Sequence, residues 1–240
     1  MRVAVLGLGE AGGRLAADLA AAGCVVRGWD PAHRVEGVES AADAVAGAEA
    51  VLSVNAAAVA ADVAREVGGA LDAGAVYADL NTSAPALKRE LAAALPVPFA
   101  DVALLGIVPS TGLATPALAS GAGAARFAEL LVPLGMPVEV VGPEPGDAAG
   151  LKLLRSVFMK GMAAAAIESL EAARAAGAED RIRDEIAAVL GEPLLERLVS
   201  GSHAHAARRV DEMQAAAAYL EELGVEPRIA SAAAAWLEQL

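Results

Sequence analysis

The residues best suited to chemistry in this sequence begin at its seventh position. Gly7-Leu8-Gly9-Glu10-Ala11-Gly12 has G-x-G-x-x-G spacing, directly after a strand pattern and at the opening of a helix pattern. The first glycine permits a tight turn, the second lets backbone approach a diphosphate, and the third lets the helix pack closely on the sheet. Exposed N–H groups and the helix dipole at such a start favour an anionic diphosphate. Asp30 closes the next strand pattern, eighteen residues after Gly12. A carboxylate there accepts hydrogen bonds from adenosine ribose hydroxyls and disfavours the 2′-phosphate of NADP. His33 and Arg34 follow at once and are able to meet a phosphate, so NAD is favoured and NADP stays open. Val54 and Asn55, at the end of the third strand pattern, complete the candidate cofactor-binding set.

A second candidate lies far along the chain. Lys152 stands among Leu151, Leu153 and Leu154 near the start of a long helix pattern. An apolar setting disfavours the charged amine, which suits general acid/base exchange with a hydroxyl. Ser156, one turn on, shares its face, whereas Lys160 is expected to be structural. His203 and His205 are two residues apart, which puts them on opposed sides of a helix, so no metal site is expected. Ser202 and His203 read as a helix start, and Arg208 and Glu212 as an i,i+4 surface pair. Nothing has the context of a Ser/His/Asp triad.

Positioning these residues requires two kinds of structure. Strand patterns at 2–6, 25–29, 50–54, 75–79, 99–102 and 138–141 alternate with helical runs at 12–22, 56–67 and 84–95. That alternation predicts βαβ units, hence an α/β Rossmann domain with a doubly wound parallel sheet. The uncharged stretch 102–125, broken by Pro109 and Pro116, reads as a buried loop and short helix rather than a membrane span. Gly142-Pro143-Glu144-Pro145-Gly146 punctuates the chain, and Asp147 is the expected N-cap of a helix reaching 176. Helical patterns follow at 180–190, 193–199, 204–223 and 229–240, predicting a dinucleotide-binding domain over 1–145 and an all-helical domain over 146–240.

Composition narrows the partners. Hydrophobic residues make up 56% of the chain and aromatics 3%, so the core is one of Ala, Val and Leu. A net charge of −13 argues against nucleic acid and anionic membrane surfaces, leaving a small-molecule substrate as the expected partner. The single cysteine, Cys24, forms no intrachain disulfide, and the opening residues do not read as a signal peptide, so a cytoplasmic location is expected.

With these residues in view, the chain resembles the β-hydroxyacid dehydrogenase superfamily, which includes 3-hydroxyisobutyrate and 6-phosphogluconate dehydrogenases. The resemblance is greatest to a branch with a distinctive C-terminal helical domain. Asp79-Leu80-Asn81-Thr82-Ser83-Ala84-Pro85 is similar to the superfamily's D-x-S-T-x-x-P segment near the substrate, with Asn81 in place of serine. Lys152 and Ser156 match the catalytic K-x-x-x-N pattern, with serine in place of asparagine. Leu104 to Ser110 stands where the superfamily carries an S-G-G segment that holds the substrate carboxylate. The resemblance implies hydride transfer between a nicotinamide and a small hydroxy or oxo acid. It makes Lys152 the general acid/base, with Asn81, Thr82, Ser156 and Arg209 meeting substrate, and it supports a homodimer. Imine reductases share the architecture, and a non-catalytic dinucleotide sensor is a further alternative.

Overall fold

The computed structural model of the chain describes residues 1–33 and 35–240. They form two compact units, Met1–Gly150 and Leu151–Leu240.

The first unit is built on a seven-stranded sheet of β1 (Arg2–Leu6), β2 (Val25–Trp29), β3 (Ala50–Ser53), β4 (Val76–Asp79), β5 (Phe99–Leu104), β6 (Ala117–Ser120) and β7 (Val138–Gly142). Their order is β2-β1-β3-β4-β5-β6-β7. Strands β3, β4 and β5 are buried along their whole length, as continuous apolar runs between covered sheet faces must be. Side-chain alternation in β1 sends Val3 and Val5 to one core and Ala4 and Leu6 to the other. Leu15 and Leu19 of α1 (Glu10–Ala21) and Phe127 and Leu131 of α6 (Ala124–Leu131) fill the first core. Val45 of α2 (Ala41–Val45), Val63 of α3 (Ala57–Val67) and Leu91 of α4 (Pro85–Ala94) fill the second. Each such fully buried side chain contributes about 1.5–3 kcal/mol of transfer free energy. The sheet is therefore doubly wound, and its strand order reverses between β1 and β3, where such sheets open a crevice at the strands' carboxyl ends.

Two expectations are corrected here. The sheet is not wholly parallel, because β5 and β6 pair antiparallel. The stretch read as a loop and short helix holds the end of β5, the one-turn α5 (Val108–Thr111), β6 and the start of α6. One turn of helix is too short to cover a sheet face as a parallel crossover does, so the chain returns antiparallel.

The helix α7 (Asp147–Ala175) begins in the first unit. Asp147 is its first residue rather than its N-cap: the Gly150 N–H already bonds to the Gly146 carbonyl. The second unit adds α8 (Glu179–Leu190), α9 (Glu192–Ala204), α10 (Ala206–Glu222) and α11 (Arg228–Leu237). Leu153, Met213, Ala216, Ala230, Ala233, Ala234 and Leu237 form one core, and Ala166, Leu170 and Leu195 another. Small residues let the helices approach closely. A Cβ on Gly161 of α7 would lie 2.5 Å from the Ile229 Cγ2 of α11. Ser202 and His203 lie in the last turn of α9, not at a helix start, and His205 separates α9 from α10. Among the described residues, no helix is long and apolar enough to cross a membrane.

Candidate active site

The glycine loop is shaped by the reversal between β1 and β3. Gly7 has φ +99°, and a Cβ there would overlap the Val54 carbonyl oxygen at the end of β3. A Cβ on Gly12 would overlap the Gly7 carbonyl oxygen, so this glycine lets α1 rest on the loop. Nothing stands within 4 Å of the place a Gly9 Cβ would occupy. Among the described residues no side chain caps α1, so its first-turn N–H groups face that open space. These features fit a diphosphate held by backbone.

Asp30 ties the next strand end to this loop. Its Oδ2 accepts from the Leu8 N–H at 2.7 Å, and its Oδ1 accepts from the Ala32 N–H at 2.8 Å, with the His33 Nδ1 at 3.1 Å. Burial alone raises its pKa, but these two N–H groups and the His33 ring outweigh that and hold the carboxyl below its usual range. The oxygens retain lone pairs for ribose hydroxyls. Arg34 lies outside the described residues.

A polar row crosses the sheet beside the loop. Register places Ser53 of β3, Asp79 of β4, Asp101 of β5 and Ser120 of β6 side by side, all fully buried. Neighbouring carboxylates of like charge repel. Lys88 of α4, itself fully buried, resolves the repulsion. Its Nζ donates to Asp79 Oδ2 at 2.7 Å and to the Asp79 and Asn81 carbonyls at 2.9 Å, and lies 3.1 Å from Asp101 Oδ1. Burial opposes the ammonium, yet Asp79 and Asp101 more than offset it, so the Lys88 pKa is raised. The second oxygen of Asp101 accepts from the Gly146 N–H at 3.1 Å and the Ala149 N–H at 2.9 Å, while Ser120 Oγ accepts from the Ala148 N–H at 3.0 Å. The row thereby caps the first turn of α7, the role expected of Asp147.

The same row positions Asn81. Its Nδ2 donates to Asn55 Oδ1 at 2.9 Å and Asp79 Oδ1 at 2.5 Å. Asn81 Oδ1 and the Ser83 hydroxyl are buried without partners among the described residues. Thr82, between them, is exposed. Across the sheet end, Asp18 accepts from the Leu113 N–H at 2.8 Å and Arg14 donates to the Pro109 carbonyl at 2.9 Å. The i,i+4 ion pair Arg14–Asp18 of α1 thus also pins the segment that stands in place of S-G-G.

In the second unit, Lys152, Ser156 and Lys160 recur on one side of α7, turn by turn. Ser156 is buried, and its hydroxyl donates to Glu212 Oε1 of α10 at 2.5 Å. Lys160 Nζ donates to the same oxygen at 2.9 Å and to Ser156 Oγ at 3.2 Å. Glu212 is thus a half-sealed partner of Lys160, not the surface partner of Arg208 that its spacing suggested. Burial pushes the Lys160 ammonium down, with the Arg209 and Arg155 charges adding to it and Glu212 opposing. Burial pushes Glu212 up, but Lys160, Ser156 and Lys152 prevail and leave it below its usual range. Arg209 donates to Ser202 Oγ at 2.6 Å.

Comparisons with known proteins agree with this fold. Residues 2–107 match the NAD binding domain of 6-phosphogluconate dehydrogenase, and residues 173–240 match a domain of unknown function, DUF1932. A solved conserved hypothetical protein from Sinorhizobium meliloti 1021 is 30% identical over 99% of this chain and 87% of its own, at a TM-score of 0.78. Mycobacterium tuberculosis 3-hydroxyisobutyrate dehydrogenase, solved with L-serine, is 21% identical over 99% of this chain and 92% of its own, with a TM-score of 0.82. The chain belongs to the same family as that Sinorhizobium meliloti protein, and it shares its fold with 3-hydroxyisobutyrate dehydrogenase. Residues 2–107 of its first unit form an NAD-binding domain of the 6-phosphogluconate dehydrogenase type. An imine reductase from Myxococcus stipitatus, in complex with NAD+, shares the fold at 20% identity, covering 99% of this chain and 92% of its own with a TM-score of 0.68. A 28.5 kDa protein of Methanothermus fervidus is 29% identical over 142 residues, which is 58% of this chain and 55% of that protein. That match therefore spans about half the length of the curated relative.

Gly7 to Gly12, Asp30, His33, Val54, Asn55 and Asn81 all belong to the first unit, at or beside strand ends, while Lys152, Ser156 and Arg209 belong to the second. Sequence reasoning missed Lys88, Asp101, Ser120 and the tertiary role of Glu212. The loop glycines carry a direct prediction. Gly12→Ala is expected to weaken NADH binding at least about tenfold, or 1.4 kcal/mol, because the new methyl displaces the Gly7 carbonyl and with it the loop. Nicotinamide fluorescence on a variant shown to be folded by circular dichroism measures this, and unchanged affinity would contradict the assignment.

Proposed function

We propose that this chain is an NAD(P)-dependent oxidoreductase of small hydroxy or oxo acids, with Lys152 as its general acid/base. The observation that carries the reading is how the chain's three lysines are placed. Lys88 is sealed between two aspartates, and Lys160 is held by Glu212 and Ser156. The third, Lys152, is half-buried and is the lysine that matches the superfamily's K-x-x-x-N pattern in the sequence. When bound, the nicotinamide accepts or returns the hydride. The backbone of Gly7 to Gly12 would hold the diphosphate, and Asp30 the adenosine ribose, favouring NAD because its charge repels a 2′-phosphate. Asn55, held by Asn81, lies at the strand ends with Val54, where the coenzyme is expected. Asn81 and Thr82 orient the substrate, and Lys152 takes its hydroxyl proton during oxidation and returns it during reduction.

Ser156 departs from the substrate-orienting role expected of it: its proton is committed to Glu212, so it acts through the second unit's interior. That departure, with the missing S-G-G segment, supports a second reading as a reductase of C=N bonds. Separate titrations with NADH and NADPH, followed by a panel of 3-hydroxy acids and cyclic imines, test both. Tighter NADH binding and oxidation of a hydroxy acid are expected. Turnover of imines alone would favour the second reading, and binding of neither coenzyme would overturn both.

A further inference from the structure

We propose that Glu212 and Lys160 form a charge-balancing pair that sets the protonation equilibrium of Lys152. The inference rests on the acid/base reading of Lys152 given above. Three observations within the second unit carry it. Lys152, Ser156 and Lys160 are spaced one turn apart on α7, so Ser156 stands one turn from each lysine on the same side of the helix. Glu212 is fastened to the Ser156 hydroxyl at 2.5 Å and to Lys160 at 2.9 Å, and its side chain is 12% exposed. The charge of Lys152 also acts on Glu212.

The groups acting on the pair come from two helices. Lys152 and Arg155 of α7 and Arg209 of α10 add positive charge around Glu212 and Lys160. Arg208 of α10 acts on Arg209. In a chain of net charge −13, this local excess of cations surrounds the half-buried Glu212 carboxylate. With both members present, the negative charge of Glu212 favours the Lys152 ammonium and the positive charge of Lys160 disfavours it. Removing either member leaves the other's charge unbalanced in a partly buried setting, where salt screens it poorly.

Opposite shifts are therefore expected from two neutral substitutions. Glu212→Gln leaves Lys160 uncompensated and lowers the titration midpoint of Lys152 by about half a pH unit or more. Lys160→Gln leaves Glu212 uncompensated and raises it by a similar amount, whereas Lys160→Arg keeps the charge and the wild-type midpoint. Lysine-selective 13C labelling of the full chain reads this directly, because three lysines give three Cε resonances to assign. Opposed shifts would support the proposal. Unmoved midpoints, or shifts in the same direction for both variants, would overturn it, and Lys160→Gln with Lys160→Arg suffices should Glu212→Gln fail to fold. The readout needs no substrate. If Lys152→Ala abolishes turnover while the midpoints stay fixed, this proposal fails alone; if turnover survives, the acid/base reading fails.

Discussion

Lys88→Met is expected to cost the first unit about 3–5 kcal/mol, the loss typical of removing one partner from a buried ion pair. The size follows from what remains. Asp79 and Asp101 are adjacent in register and fully buried, and without the ammonium each faces a like charge in a medium that solvates neither. Methionine matches the length of the lysine stem, so packing is largely kept and the loss reports charge. Domain stabilities total about 5–15 kcal/mol, so the variant should unfold at a much lower urea concentration than the wild type. Part of the damage reaches the start of α7, because Asp101 holds the Gly146 and Ala149 N–H groups. The wild type supplies a second check through pH. The Lys88 pKa is raised, so its contribution is fully present below the ordinary lysine value and is lost as pH rises through the higher folded value. Stability from this source should thus be flat near neutrality and fall only in strong alkali. An unfolding free energy from urea titration within about 1 kcal/mol of wild type at pH 7 would show that the ion cluster is dispensable.

Lys88 also shows where reading a sequence stops. Its helix reads Pro-Ala-Leu-Lys-Arg-Glu-Leu, with the lysine beside Arg89 and Glu90 as if on a solvent face. The partners that bury it come from β4 and β5, nine and thirteen residues away, with no local spacing to betray them. Glu212 shows the same limit. Four residues after Arg208 it reads as half of a surface pair, but a contact with Lys160, fifty-two positions distant, prevails. Features set by backbone chemistry were legible. Gly7 and Gly12 are demanded by a positive φ and by close packing of loop and helix, and their spacing states both. The strands β1 and β2 were legible residue for residue, because Val-rich runs bounded by glycine admit few alternatives. The strand β6 was not. Ala-Leu-Ala-Ser is short, carries no alternation and follows a proline, so only pairing with β5 makes it a strand. The capping of α7 was inferred from its nearest acidic residue, yet the buried Asp101 and Ser120 supply it from across the sheet.

Lys152→Ala is expected to lower turnover of a hydroxy acid by about 10²- to 10⁴-fold, the range that general acid/base catalysis contributes. The chain offers little to replace the lysine. Lys88 is locked in its ion cluster, and the Lys160 ammonium donates to Glu212 and Ser156. Binding of coenzyme should survive, because the loop's shape is set within the first unit by Gly7, Gly12 and Asp30. The variant therefore separates two functions that a folding defect would remove together: NADH affinity stays near wild type while kcat falls. Lys152→Arg tests the chemistry further. Arginine retains the charge but does not release a proton near neutral pH, so it should be as inactive as alanine. An arginine variant with near-wild-type turnover would mean that Lys152 attracts the substrate acid electrostatically without exchanging its proton. An alanine variant with unchanged turnover would remove the residue from the reaction altogether.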